Sequence, residues 1–248
     1  MIKEGFGIRG VKDSGVSSNG PILNGEVFAI LKGPDFARKF DLLEKTPIHR
    51  ILRTLLSALC REDEEIKWHA VTLTGMLVAD LAQKDLEGAR NIIRRMVWSL
   101  NEESGGIGWG LPEAMGEILA RNESLAREFA PILLSYVQPE GSFLEFELLQ
   151  RGALWGIGRL AGVHPQLLLS LDAAKYLSSC MDSADPLIRG HAVWAIGRIG
   201  TQGDIPKLEN LRRDETEIRL YEGERFRSVR IRDLAEEFFK GHGISPSA

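Results

Sequence analysis

Four short segments of this chain are versions of one another. They read WHAVTLTGMLV (68–78), WGLPEAMGEIL (109–119), RGALWGIGRLA (151–161) and GHAVWAIGRIG (190–200), and they align on Gly75, Gly116, Gly158 and Gly197. These glycines stand 41, 42 and 39 residues apart. A fixed period of that size means a stack of supersecondary units, because one unit alone cannot bury its apolar face and only its neighbours complete a continuous core. The repeated glycine has a packing reason: a missing side chain lets the adjacent helix approach closely.

Each marked segment follows one more stretch with helical apolar spacing, such as PIHRILRTLLSAL or AREFAPILLSYV. Apolar residues at i, i+3, i+4 and i+7 argue amphipathic helix, and β-type alternation is nearly absent. Breaks at Gly33-Pro34, Pro47, 105–110, 139–141, Pro165, Pro186 and 203–206 cut the chain into helices of ordinary length. The unit is therefore a helix pair of about 40 residues. The expected fold class is all-α: an α-solenoid of about five helix pairs, the last less regular and spanning 205–240. Residues 1–25, rich in Gly and Ser, read as a flexible arm, 26–43 as an N-terminal helical cap, 44–240 as the repeat domain and 241–248 as a flexible tail.

IRGHAVWAIGRIG and RGALWGIGRLAG resemble the second helix of HEAT-like repeats of the phycobilisome-lyase type, with its Val-Arg, small residues, Glu, Ala, Leu, Gly, Arg, Leu, Gly order. WHAVTLTGMLV is similar to a weaker degree, and the resemblance covers roughly 44–240. It implies an outer layer of first helices and an inner, concave layer of second helices. It does not imply one function, because the same repeat builds many unrelated binding scaffolds.

Relative to each marker glycine, positions −7, −3 and +1 share one helix face. The resemblance implies that this face points away from the core. It reads Trp68, Thr72, Met76; then Trp109, Glu113, Glu117; then Arg151, Trp155, Arg159; then Gly190, Trp194, Arg198. Four of the chain's five tryptophans fall on it, two of them where the family pattern carries glutamate. Tryptophan and arginine are the residues most enriched at binding hot spots. Two readings of the stripe compete: an open groove, or side chains that fill gaps between repeats. A Glu113–Arg151 pair across adjacent repeats would favour the second.

The segment NEESGGIGWGLPEA replaces the turn and first helical turns of its repeat without an insertion. Ser104, Gly105, Gly106, Gly108 and Gly110 form the break, and proline's preference for the first helical turn starts the next helix near Leu111 and Pro112. The break is either a recognition pocket or a bend. Glu102, Glu103, Glu113 and Glu117 nearby oppose a phosphate there. Gly5, Gly7 and Gly10 spell GxGxxG, but without the flanking strand and helix that a dinucleotide site needs.

A net charge of −4 gives no general attraction to nucleic acid or anionic lipid. No apolar run reaches the ~20 residues of a membrane span, and MIKEGFGIRG lacks the apolar region of a secretion signal, so the expected compartment is the cytoplasm. Cys60 and Cys180 read as reduced core thiols. His69 and His191 are repeat equivalents and read as structural; no HxxxH, HExxH or CxxC spacing suggests a metal, and no cofactor is expected. The arginines of 212–232 interleave with acids and read as paired within a helix.

Three functions follow. The preferred one is a non-catalytic scaffold that binds a protein or peptide in the concave groove. The second resembles HEAT-like DNA glycosylases, with Trp109, Glu113, Arg151 and Trp194 around a lesion; an acidic chain and glutamate in place of aspartate weigh against it. The third is a bilin lyase or related small-ligand protein, implied by the repeat type alone.

Overall fold

The computed structural model describes residues 24–43, 46–102, 107–200, 202–241 and 243. Helix α1 (Asn24–Leu31) and a 3-10 segment (Ala37–Leu43) precede the repeats. The pairs are α2 (Ile48–Ala58) with α3 (Glu64–Lys84), α4 (Leu86–Asn101) with α5 (Leu111–Arg121), and α6 (Glu123–Ser135) with α7 (Glu147–Ala161). In the fourth, the outer helix is broken into α8 (Pro165–Ser170) and α9 (Ala173–Cys180), ahead of α10 (Pro186–Ile199). The last unit holds α11 (Ile205–Leu211) and α12 (Ile231–Gly241). Of the expected arm, 24 and 25 open α1 and the rest lies outside the described residues, as does most of 241–248.

Side-chain caps start four of these helices. Asp63, Asp85, Asn122 and Asp185 each accept a main-chain N–H from the first turn that follows. Such a cap stabilises a helix by about 1 kcal/mol. The second helices form a continuous inner layer, α3 on α5, α5 on α7, α7 on α10 and α10 on α12. Residues 112–120 of α5 and 152–158 of α7 are buried on every side, as expected of helices covered by an outer layer, two neighbours and a further lid.

Three of the four marker glycines are contact points of this layer. A methyl group on Gly116 would fall against the Cα of Gly156, one on Gly75 against the Glu117 side chain, and one on Gly158 against the ring of Trp194. At Gly197 nothing lies within 4 Å.

The solenoid is mostly helical, but the fifth unit departs from a plain helix pair. Residues read as helical fold as β1 (Glu217–Glu222) and β2 (Arg225–Arg230), an antiparallel hairpin pairing Tyr221 with Phe226 and Ile218 with Val229. Its two turn residues, Gly223 and Glu224, both have positive φ (58° and 64°), the conformation that matches the twist of a tight hairpin. The arginines here pair across the hairpin and with other elements. Arg227 bonds Glu222, Arg230 bonds Glu215, Arg212 bonds Glu236, and Arg219 reaches Glu64 of α3.

The thiols differ from expectation too: Cys60 is exposed just past the end of α2, and Cys180 is half-buried at the end of α9. Among the described residues no helix is long and apolar enough to cross a membrane.

Candidate functional site

The hairpin lies on the stripe face of the inner helices. The Trp155 indole N–H donates to the main-chain oxygen of Tyr221 (2.9 Å). Tyr221 stacks on Trp68 with ring centres 4.9 Å apart, and its hydroxyl is 3.1 Å from Thr72 Oγ1. Phe226 meets Trp68 and Tyr221 edge-on. Trp194 donates to Glu222 (3.3 Å), which also binds Arg198, and the Arg198 guanidinium lies over the Trp194 ring at 4.2 Å. A strand from the fifth unit thus ties back to the first, across 149 residues of sequence.

This corrects the expected exposure of the stripe. Trp155 is 2% and Trp194 3% exposed, where an open groove would leave both in water. Trp68 is half-buried under Tyr221 and Phe226. Burial of Tyr221 drives its hydroxyl well above the ordinary phenol range, so it stays protonated and available to Thr72. The signal for the hairpin was local: apolar Ile218 and Leu220 alternate with Arg219, and Gly-Glu follows at the turn. What no local pattern encodes is where that hairpin lands.

The acids and bases of the stripe bind different partners from those anticipated. Glu113 is 3% exposed and pairs with Lys67 (2.7 Å), not with Arg151. Arg151 donates to Asp185 (2.9 Å). Burial pushes the Asp185 carboxyl up, but Arg151 and the N–H groups of Ile188 and Leu187 outweigh it and hold it below the usual carboxylate range. Both pairs join neighbouring units, so a glycosylase-like arrangement of Glu113 with Arg151 does not form. Trp109 sits apart, beside α5, with its ring 5.3 Å from Phe146. The equivalent histidines do equivalent work: His69 Nδ1 is 2.6 Å from Leu31 O and His191 Nδ1 is 3.1 Å from Arg151 O, each fastening a helix to the preceding unit.

Of the glycine-rich break, Ser104, Gly105 and Gly106 lie outside the described residues. Gly110, with φ +73°, caps α5, and a methyl group there would meet Leu59 Cβ at 2.8 Å. Gly108 is closely packed against Leu100 and Leu111. Helix α5 starts at Leu111.

A cleft of about 330 Å³ lies between the hairpin turn and α5, α7 and α10. Trp155, Gly158, Gly162, Trp194 and Tyr221 line it, and Glu117, Arg121, Arg159, Arg198, Glu222 and Glu224 supply its charge. Glu117, 4% exposed, accepts from Arg121 Nε on one oxygen (2.6 Å) and Arg159 Nε on the other (2.7 Å). Stripe reasoning missed Arg121, which stands one turn beyond the repeated positions, and the hairpin residues Tyr221, Glu222 and Glu224. Among the described residues no group of three metal-ligating side chains occurs.

Residues 147–199, covering α7 to α10, match the family model for a HEAT-like repeat. An uncharacterized protein of Archaeoglobus fulgidus is 24% identical over 74% of this chain and 92% of its own length. Among solved structures, a designed armadillo repeat protein in complex with peptide (KR)4 superposes with a TM-score of 0.53 at 19% identity, covering 88% of this chain and 90% of that one. Computationally designed armadillo repeat proteins for modular peptide recognition give 0.52 at 18% identity over 88% and 90%. The fold is a HEAT/armadillo-like repeat solenoid.

Proposed function

We propose that this chain is a non-catalytic scaffold, built of HEAT-like repeats of the phycobilisome-lyase type, that binds an extended segment of a protein partner on its concave face. One observation carries the reading: the face already holds an extended segment, its own β1, by the means a peptide groove uses. An indole N–H takes a main-chain carbonyl, an aromatic ring stacks in a tryptophan slot, and an arginine takes the next side chain's carboxylate. Such contacts recognise a backbone first and a side-chain pattern second. The designed armadillo proteins of similar fold, titled for peptide recognition and for a bound (KR)4 peptide, add support by analogy. The test is selection of binding peptides from a random displayed library by the purified chain. Selected peptides are expected to lose affinity for Arg159→Ala and to keep it for Arg127→Ala on the outer helix α6. Binders indifferent to Arg159, or none at all, refute the concave face as the working surface.

A further inference from the structure

We infer that the cleft under the hairpin turn is an oxyanion site, taking a carboxylate or phosphate between Arg121 and Arg159; the inference rests on the concave face being the binding face. Each of these arginines spends its Nε–H on Glu117 and, among the described residues, neither commits its terminal Nη groups to a protein acceptor. Glu117 is buried and divided between them, so it orients two guanidiniums toward one cleft while cancelling only one of their charges. Two oriented forks with spare N–H pairs are the donor set that a planar or tetrahedral oxyanion requires.

The neighbouring pair shows the same chemistry satisfied in cis. Arg198 has its carboxylate, Glu222, supplied by the hairpin, and Glu222 is shared with Arg227, which Glu237 also meets. Burial pushes the Arg198 guanidinium down and Glu222 opposes the shift, so this cation is already answered. Glu224, exposed at the turn, is the acid left on the rim. An incoming oxyanion therefore finds free donors at Arg121 and Arg159, and it must approach past Glu224. Gly158 and Gly162 of the cleft lining leave room for the Trp194 ring and the Arg198 side chain, which a side chain at either position would strike or crowd.

The test is calorimetric titration of the intact chain with three probes: an end-blocked tetraglutamate peptide, inorganic phosphate and an end-blocked tetralysine peptide. Saturable binding of glutamate peptide or phosphate is expected, and the tighter of the two identifies carboxylate or phosphate as the source. Arg121→Lys with Arg159→Lys keeps cations beside Glu117, and so the fold, but loses the forks; roughly tenfold or greater weakening is expected. Glu224→Gln is expected to tighten binding, and Arg127→Ala to leave it unchanged. No saturable oxyanion binding, or equal binding by the double lysine variant, overturns the site. Preference for tetralysine also overturns it while leaving the peptide scaffold intact. Phosphate binding without any peptide binding supports the site and counts against the scaffold.

Discussion

The tie between hairpin and solenoid can be weighed at one residue, Tyr221. It is 4% exposed, and its ring meets Trp68, Trp155 and Phe226 at centre distances of 4.9, 6.3 and 5.3 Å. Truncating a buried aromatic to alanine costs about 3–5 kcal/mol, more where the site cannot collapse. Trp68 and Trp155 stand on two helices of the stacked inner layer, which cannot close the gap, so Tyr221→Ala is expected to cost about 4 kcal/mol. Tyr221→Phe isolates the hydroxyl. It keeps the rings and leaves Thr72 Oγ1, on a residue 2% exposed, without its partner, for about 1 kcal/mol. The difference of about 3 kcal/mol is the packing of the hairpin onto the concave face. Urea titration followed by tryptophan fluorescence measures it, because Trp68, Trp155 and Trp194 surround the mutated site. The alanine variant should also shift native emission to the red as Trp155 meets water. If both variants lie within about 0.5 kcal/mol of the parent, the range of ordinary surface substitutions, and emission is unchanged, the hairpin does not occupy this face.

Two further outcomes follow from packing and protonation. Gly116→Ala sets a methyl group against the backbone of α7, where no flexible side chain can yield, and should destabilise by about 1–3 kcal/mol; Gly197→Ala, with open space around it, should stabilise by about 0.5–1 kcal/mol. Thermal melts of the two variants should therefore move in opposite directions. His191 is held at about 4 by burial, against the bond to Arg151 O that favours its proton, while the unfolded chain titrates near 6.5. Between those values the unfolded state takes a proton that the folded state refuses, so stability falls as pH falls from about 6.5 toward 4, by about 3 kcal/mol in full. His191→Gln should flatten that part of the stability profile between pH 7 and pH 4.5.

Much of the architecture was legible before any coordinates. The period of the marker glycines announced a stacked fold, and Leu111-Pro112 located the start of α5 after the glycine-rich break. The equivalence of His69 and His191 announced a structural role, and each fastens its helix to the unit before it. These are local or periodic signals, and a solenoid is the fold in which local signals reach furthest, because each unit contacts mainly its neighbours.

The identity of each side chain's partner was not legible. Repeat spacing put Arg151 forward as the partner of Glu113, yet Glu113 pairs with Lys67 and Arg151 with Asp185, because such pairings depend on how neighbouring helices meet. The hairpin was readable as alternation around a glycine, yet its landing site on Trp68 and Trp155 depends on contacts between the first and last units, which repeat logic does not contain. Sequence alone therefore determined that this chain stacks helices into a solenoid with a tryptophan-rich inner face, because periodic burial is written in periodic residues. Only the tertiary structure decided that the chain covers most of that face itself and leaves two arginines facing an open cleft, because that outcome depends on where distant segments meet in space.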